Sequence, residues 1–382
     1  MASRLYRTTR QLYLAVEAAL LRLHLNTLGT PSLAALIALA VTGLILLEAR
    51  PTQTRVARRL PARCHDALNR LLREMPWSTR TLCALLCAFA RRLHRDGYLI
   101  LDDVIVEKAF AKRLRWASKI YSFAKKRKLW GIHIVVLVWC SCDGRWRIPL
   151  GFRLWRPKRS CRAERYQTKL QLAAELVRVV VTSRLPVQYI VGDTHYTAGW
   201  FTKRLNRLGL TWHGTLNPKT SVVWRGKQQS VRALAETLHL KWRQHLGLRA
   251  KALRVYAPKY GHIRLVVTRN RHGNYEYLVS NDLQADLTKM VMRKRSRWSI
   301  ETVFRDSKQF AALEACQCWA DQAMVRHIGL VLLTFVVLQL LRTTPGESVG
   351  AVKERWQLAV IRDGEVPPPP LRACPSELRP TA

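Results

Sequence analysis

The chain has 382 residues and a formal net charge of +40, because 65 Lys and Arg outnumber 25 Asp and Glu. A chain of this length has room for roughly two or three domains. Its hydrophobic content of 48% excludes a disordered basic tail, since that much apolar surface can offset the entropy lost on folding. We therefore expect the positive charge on a folded surface, with nucleic acid as the first candidate partner and an anionic membrane as the second.

The nine cysteines exclude a small secreted disulfide framework, because their number is odd and they are scattered through a long chain. The closely spaced pairs are Cys83 and Cys87, Cys140 and Cys142, and Cys316 and Cys318. None is a C-x2-C pair matched to a second such pair, so no zinc site is predicted. We expect reduced thiols in a cytoplasmic protein.

Two runs without charged residues, 32–47 and 327–341, are candidates for membrane spans. Both are shorter than the roughly 20 apolar residues that a bilayer requires. The sequence therefore predicts buried helices in both places and no membrane partner.

Residues 1–96 are predicted to form an all-α domain. Apolar residues recur at helical spacing, as in Leu12, Val16 and Leu20, and Pro31 and Ser78 stand where helices are expected to begin. Arginines are frequent over residues 55–73, which favours a DNA-facing surface. A merely solvated helix face would have the same composition.

From residue 98 the pattern changes to short segments rich in β-branched and aromatic residues. The predicted strands are 98–101, 133–139, 146–154, 187–191 and 210–216, and the predicted helices are 164–181 and 198–208. Gly144 separates the second strand from the third in the manner of a hairpin. This order predicts an α/β sheet with helices on its faces over residues 97–216.

The remaining chain alternates between strand and helix patterns. Residues 217–283 are predicted as a β-rich insertion, with strands at 221–224, 252–257, 263–268 and 275–279 and a short helix at 231–239. Residues 284–342 return to the core with helices at 295–310 and 321–341. Prolines 367–370 favour an extended C-terminal tail over residues 343–382.

Two carboxylates follow predicted strands directly. Asp102 comes after the strand 98–101, and Asp193 comes after the strand 187–191, so the two acids are 193 − 102 = 91 positions apart. In open α/β sheets, groups at the carboxyl ends of strands line the crevice that binds ligands, so the two acids could share a site. A turn-forming or capping acid would have the same position.

A third acid lies on a basic helix face. Arg297, Glu301, Arg305 and Lys308 are spaced to share one face of a helix, with Ile300 turned toward the core. One acid among three cations suits a scissile phosphate, since the acid can hold a metal while the cations bind phosphate oxygens. Ordinary surface ion pairs are the alternative.

These residues resemble the bacterial insertion-sequence transposases of the DDE class. One branch of that family has a Y-x2-R-x3-E-x6-K signature, and Arg297, Glu301 and Lys308 match three of its four positions. Lys294 occupies the tyrosine position. Segments 63–72, 101–103, 191–196 and 277–283 are also similar, as is the long stretch between the second and third acids, and the resemblance covers about residues 30–342.

The resemblance implies a catalytic metal triad of Asp102, Asp193 and Glu301. Asp103 competes with Asp102 for the first place, because adjacent residues of a strand point to opposite faces of the sheet. Asp102 is favoured, since it follows the apolar run directly. The implied cofactor is a pair of Mg²⁺ ions, with Mn²⁺ as a substitute.

The implied fold is a ribonuclease-H-like (retroviral-integrase-like) core with a β-strand insertion before the last catalytic helix, preceded by the all-α domain. The DNA contacts implied or inferred beside the triad are Arg297, Arg305, Lys308, His195 and Tyr196. For His195 and Tyr196 a role in the turn is an equal alternative. Trp298 could stack on an unpaired base, although a core position is the favoured interpretation.

The implied function is transposition of an insertion sequence. A homodimer in the bacterial nucleoid would bind terminal inverted repeats of double-stranded DNA, nick the ends and transfer the 3′-hydroxyl strands into a target. A DNA-binding remnant without activity and a nuclease of the same fold, such as a junction resolvase, are the alternatives. Mg²⁺-dependent nicking separates the first alternative from the transposase, and strand-transfer products separate the second.

Overall fold

A computed structural model of the chain describes residues 7–47, 55–56, 60, 65–109, 114–122, 125–316, 318 and 320–363. Helices dominate before residue 93 and after residue 286, and strands dominate between them. The helices longer than one turn are α1 (Arg7–Arg22), α2 (Pro31–Leu46), α3 (His65–Arg73), α4 (Thr79–Arg92), α5 (Lys169–Thr182), α6 (Gly199–Arg207), α7 (Val231–Glu236), α8 (Leu287–Ser296), α9 (Trp298–Phe310), α10 (Asp321–Leu340) and α11 (Val349–Arg362).

The strands form one sheet. They are β1 (Gly97–Glu107), β2 (Ser118–Ser122), β3 (Arg127–Ser141), β4 (Arg147–Trp155), β5 (Ile190–Gly192), β6 (Trp212–Thr215), β7 (Ser221–Trp224), β8 (Lys227–Ser230), β9 (Lys241–Arg243), β10 (Leu248–Ala257), β11 (Gly261–Arg269) and β12 (Tyr275–Ser280). Their order in the sheet is β2-β3-β1-β5-β6-β12-β11-β10-β7-β8, with β4 also paired to β3 and β9 to β10.

The first half of the sheet combines antiparallel and parallel pairing. Strands β1 to β4 pair in antiparallel fashion, and Gly144 makes the predicted hairpin turn with a φ of 73°. Strands β5 and β6 then add in parallel to β1, separated by α5 and α6. Four antiparallel strands followed by two parallel ones, with helices between, are consistent with the predicted ribonuclease-H-like core.

The strands of residues 217–283 continue this same sheet. β12 pairs with β6 in antiparallel fashion, and β11, β10, β7 and β8 extend the sheet outward from β12. Buried residues of these strands, such as Val222 and Leu265, belong to the same apolar core as β1 and β5. The predicted insertion therefore enlarges the core sheet.

The N-terminal helices pack against the C-terminal ones. Helix α10 contacts α2 and α3, and α11 contacts α1 and α2. Two buried cations join these helices: Arg326 donates to the carbonyls of Leu72 and Trp77, and Lys353 donates to carbonyls at three positions. The acceptors of the Lys353 ammonium are Leu44, Leu47 and Phe310. Residue 96 thus marks a change of secondary structure within a continuous core, and the division into domains stays a prediction.

Helix α10 is, within the described residues, the one helix long and apolar enough to cross a membrane by length and composition. It spans 20 residues, and 89% of the 18-residue apolar stretch within it is buried inside the protein. Its sides pack on α2, α3, α9 and β4. The prediction that the apolar run 327–341 belongs to a buried core helix agrees with this packing.

Several sequence predictions of local structure were wrong. Residues 349–362 form α11, capped by Ser348, so the predicted extended tail does not begin at residue 343; residues 364–382 lie outside the described part. The predicted helix 295–310 is interrupted at Arg297, where α8 ends and α9 begins. Helix α5 begins at Lys169, because Thr168 and Gln171 form a reciprocal capping box there.

Candidate active site

The first two acids meet where the parallel pairing of β1 and β5 ends. The ladder pairs Leu101 with Gly192, and the next residues along the two strands are Asp102 and Asp193. Strand β1 continues to Glu107 in pairing with β3, so Asp102 lies inside this strand, whereas the sequence predicted that the strand ends before it. The crevice opens because β5 stops and β1 does not.

Burial, together with the proximity of the two acids, raises the pKa of one of them. Burial of Asp102, followed by repulsion from Asp193, raises the pKa of the Asp102 carboxyl to about 7, although the charge of Arg297 opposes the shift. Asp193 is more open. Its Oδ1 accepts hydrogen bonds from the backbone N–H groups of His195 (2.9 Å) and Tyr196 (3.2 Å). Its Oδ2 accepts none from the described residues, so this oxygen can take a further ligand.

Arg297 joins the first acid to the third. Its Nη1 donates to Oδ2 of Asp102 and its Nη2 to Oε1 of Glu301, both at 2.7 Å. Arg297 stands between α8 and α9, and Glu301 lies in the first turn of α9. One guanidinium therefore bridges two carboxylates that are 199 residues apart in sequence (301 − 102 = 199). Asp102, Asp193 and Glu301 thus border one region of the structure.

Asp103 is held by a different set of residues. Its Oδ2 binds Nδ1 of His133 (2.9 Å) and Nζ of Lys169 (2.8 Å), and its Oδ1 accepts the hydroxyl of Tyr196 (3.3 Å). Burial acts to raise the pKa of Asp103, but hydrogen bonds from His133 and Lys169 outweigh it and hold the pKa well below its usual range. Asp103 is therefore charged, and both of its carboxylate oxygens accept hydrogen bonds from side chains. The carboxyl of Asp102, in contrast, has a raised pKa.

The predicted DNA contacts fall into two groups. His195 and Arg305 are exposed. The side chain of Arg305 is 60% exposed and forms an ion pair with Asp306. Tyr196 is buried and bound to Asp103, so it is not a surface contact. Lys308 donates to the carbonyl of Ile105 and forms an ion pair with Glu314 at 2.8 Å.

Two further residues of the signature segment differ from expectation. Trp298 is 65% exposed, which contradicts the core position that the sequence favoured. It follows Arg297 directly, at the start of α9, and its indole ring is open to solvent. Lys294, in the tyrosine position of the signature, pairs with Glu276 at 2.6 Å on the surface.

His133 and Lys169 were missed by the sequence analysis. His133 reaches Asp103 only because β1 and β3 pair in the observed register, which no local pattern reveals. Lys169 is the first residue of α5, and the T-x-x-Q capping box at Thr168 was the available signal for that position.

The donor set suits hard divalent cations. Carboxylate oxygens are the ligands that Mg²⁺ and Mn²⁺ prefer, and Asp102 and Asp193 supply them side by side. As placed, no group of three His, Cys, Asp or Glu side chains in the described part of the chain surrounds a single point. Asp102 and Asp193 can bind a metal ion as they are placed. Glu301 can join them as a ligand only when the guanidinium of Arg297, which lies between Asp102 and Glu301, moves away.

The family assignment agrees with this chemistry. The model of the DDE superfamily endonucleases matches residues 25–237, more than half of the chain, and the chain belongs to this family. Endonucleases of this superfamily act on DNA and generally use divalent metal ions. The matched residues include Asp102 and Asp193 and end before Glu301. No curated protein matches the chain.

Proposed function

We propose that the protein is the DNA transposase of an insertion sequence, with Asp102, Asp193 and Glu301 as its metal-binding residues. The observation that carries the proposal is the meeting of Asp102 and Asp193 at the end of the β1–β5 ladder, with Glu301 joined to Asp102 through Arg297. Asp102 is preferred to Asp103, because the oxygens of Asp103 are already bound by His133, Lys169 and Tyr196.

The proposed cofactor is a pair of Mg²⁺ ions, for which Mn²⁺ can substitute. Asp102, Asp193 and Glu301 would hold the ions, which would supply activation of water or of a 3′-hydroxyl and stabilisation of the leaving oxygen. The high pKa of Asp102 supports this assignment, since a buried carboxyl beside a second acid is stabilised in its charged form by a cation.

Arg297 and the exposed cations near it are proposed to bind DNA phosphates. Arg297 is positioned to exchange its carboxylate partners for a phosphate oxygen, because its side chain is 23% exposed and its guanidinium binds the acids. Arg305 and His195 lie on the surface beside the site and are proposed contacts to the strand that is cut. Asp103 is a positioning residue that fixes Lys169 and Tyr196 beneath the crevice.

The wider function is proposed from the resemblance together with the charge of +40. A homodimer in the bacterial nucleoid would bind terminal inverted repeats through the N-terminal helices and the strands of residues 217–283. It would nick each end and join the freed 3′-hydroxyl to target DNA in the same site.

A metal-dependent nicking assay tests the proposal. Binding-site selection with the purified protein identifies the DNA end, and nicking of a plasmid with that sequence is then followed in Mg²⁺ and in chelator. Replacing Glu301 by Gln should slow nicking about 10³-fold or more, since a metal site contributes several kcal/mol to transition-state stabilisation. Glu276→Gln, which removes the same charge on the surface, is the matched control.

The same assay separates the alternatives. DNA binding without nicking by the parent protein would identify an inactive remnant, the alternative that Lys294 in the tyrosine position favours. Nicking without strand-transfer products on a target plasmid would identify a nuclease of the same fold.

A further inference from the structure

A cavity of about 370 Å³ lies between β4, α4 and α5. Four arginines line it: Arg80, Arg153, Arg156 and Arg165. Among the described residues of its lining, Glu175 is the single carboxylate. A concave surface with four cations and one acid is selective for anions.

The segment 156–165, between β4 and α5, supplies two of these arginines and further cations. Its basic residues are Arg156, Lys158, Arg159, Arg162 and Arg165. None of the five pairs with a carboxylate anywhere in the described chain. Three instead lie over aromatic rings, the guanidinium of Arg156 at 4.6 Å from the centre of Trp116, Lys158 over Tyr166 and Arg159 over Trp130. Contacts with rings fix the direction of a cation while leaving its charge available to an anion.

A short series of contacts joins the cavity to Asp103, the neighbour of Asp102 in β1. Trp155, the residue before Arg156, meets the ring of His133 edge to face at 5.7 Å, and His133 binds Asp103. Lys169, four residues after Arg165, binds the same carboxylate. A DNA strand that runs from Asp102 past Asp103 toward the start of α5 would meet this segment.

We propose that this basic cavity binds the phosphate backbone of a DNA strand next to the cleavage site, with Arg156 and Arg165 as direct phosphate contacts. The inference rests on the proposed function, because it takes DNA as the substrate. Glu175 weakens the attraction of the cavity for phosphate, since its carboxylate accepts hydrogen bonds from Arg153, at 3.4 Å, and from Gln167. Glu175 thus neutralises Arg153, and the charges of Arg80, Arg156 and Arg165 remain available to the DNA strand.

The test measures the affinity of the full chain for a short labelled DNA duplex of mixed sequence, by fluorescence anisotropy in chelator over a range of salt concentrations. The variant Arg156→Gln/Arg165→Gln should bind at least tenfold more weakly near about 0.1 M salt, with a salt slope that is less steep by about 2. The matched control is Arg178→Gln/Arg184→Gln, which removes two exposed arginines at the other end of α5. Its affinity and slope should stay close to those of the parent.

A second variant makes the opposite prediction. Glu175→Gln frees Arg153 and should tighten binding severalfold with a steeper salt slope, a gain that misfolding cannot imitate. Equal affinities of the two double variants, or no gain from Glu175→Gln, would overturn the proposal. Because metal is absent from the binding buffer, these results do not depend on whether the parent protein nicks DNA, which tests the proposed function separately.

Discussion

Replacing Asp103 by asparagine should destabilise the protein far more than the same change at Asp102, although the two residues are adjacent. Asp103 accepts two charge-assisted hydrogen bonds, from His133 and Lys169, and a third from the hydroxyl of Tyr196. A hydrogen bond to a charged group contributes about 1.5–3 kcal/mol and a neutral one about 1 kcal/mol, and asparagine keeps part of them. We expect Asp103→Asn to lower the free energy of unfolding by about 2–4 kcal/mol.

Asp102 should behave in the opposite way in metal-free buffer. Its one ion pair, with Arg297, is offset by burial and by the repulsion of Asp193, as the raised pKa of Asp102 indicates. Asp102→Asn removes that repulsion and keeps an acceptor for Arg297, so the free energy of unfolding should change by less than about 1 kcal/mol or rise.

Urea unfolding of both variants in chelator, followed by far-ultraviolet circular dichroism, measures these changes. The slope of the free energy against urea should be the same for both variants and the parent. If Asp102→Asn is as destabilising as Asp103→Asn, the distinction between Asp103 as a structural acid and Asp102 as a metal-binding acid is wrong.

Two further predictions concern the core. Lys353→Met leaves one buried and two part-buried carbonyls without their donor and should cost about 2–4 kcal/mol of unfolding free energy, whereas Glu354→Gln on the exposed side of α11 should cost less than about 0.5 kcal/mol; urea unfolding compares them. Burial lowers the pKa of His327 from 6.5 to about 4, so its contribution to stability is complete above pH 6.5 and is lost as pH falls toward 4. Between about pH 7.5 and pH 5.5 the free energy of unfolding of the parent should fall by about 1.3 kcal/mol more than that of His327→Gln, because the histidine becomes protonated in the unfolded state and stays neutral in the folded state. An equal fall in both proteins would contradict the lowered pKa of His327.

Local patterns predicted the elements whose signals lie within a few residues. The Gly144 hairpin, the helix start at Ser78 and the apolar face of α9 around Ile300 all follow from turn residues, caps and periodicity. The two acids were also found this way, although only Asp193 stands at a strand end, because Asp102 follows the apolar run 98–101 but lies inside β1. Helix α11 had a similar signal, with Ser348 as its cap and Val349 and Val352 on its buried face, but the prolines beyond it outweighed this signal in the interpretation.

The remaining features depend on pairing between distant segments. The continuation of β1 through Asp102 and Asp103 is stabilised by β3, and only that register brings His133 to Asp103. Arg297 was predicted as a phosphate contact from its helix face, but its two carboxylate partners depend on how α9 packs on the sheet. Trp298, the first residue of α9, is exposed, and the continuous pattern of residues 295–310 did not reveal the break between α8 and α9 at Arg297.

The most direct test of the metal site exchanges a carboxylate for a thiolate and changes the metal. Thiolates bind Mg²⁺ poorly and softer divalent ions better, so a metal-bound position shows a change of metal preference when it becomes cysteine. Nicking of the selected DNA end by Asp102→Cys should be lost in Mg²⁺ and recovered in part in Mn²⁺, while Asp103→Cys should show no such Mn²⁺-specific recovery. Recovery at Asp103 instead of Asp102, or at neither position, would contradict the assignment of Asp102 as the first metal ligand.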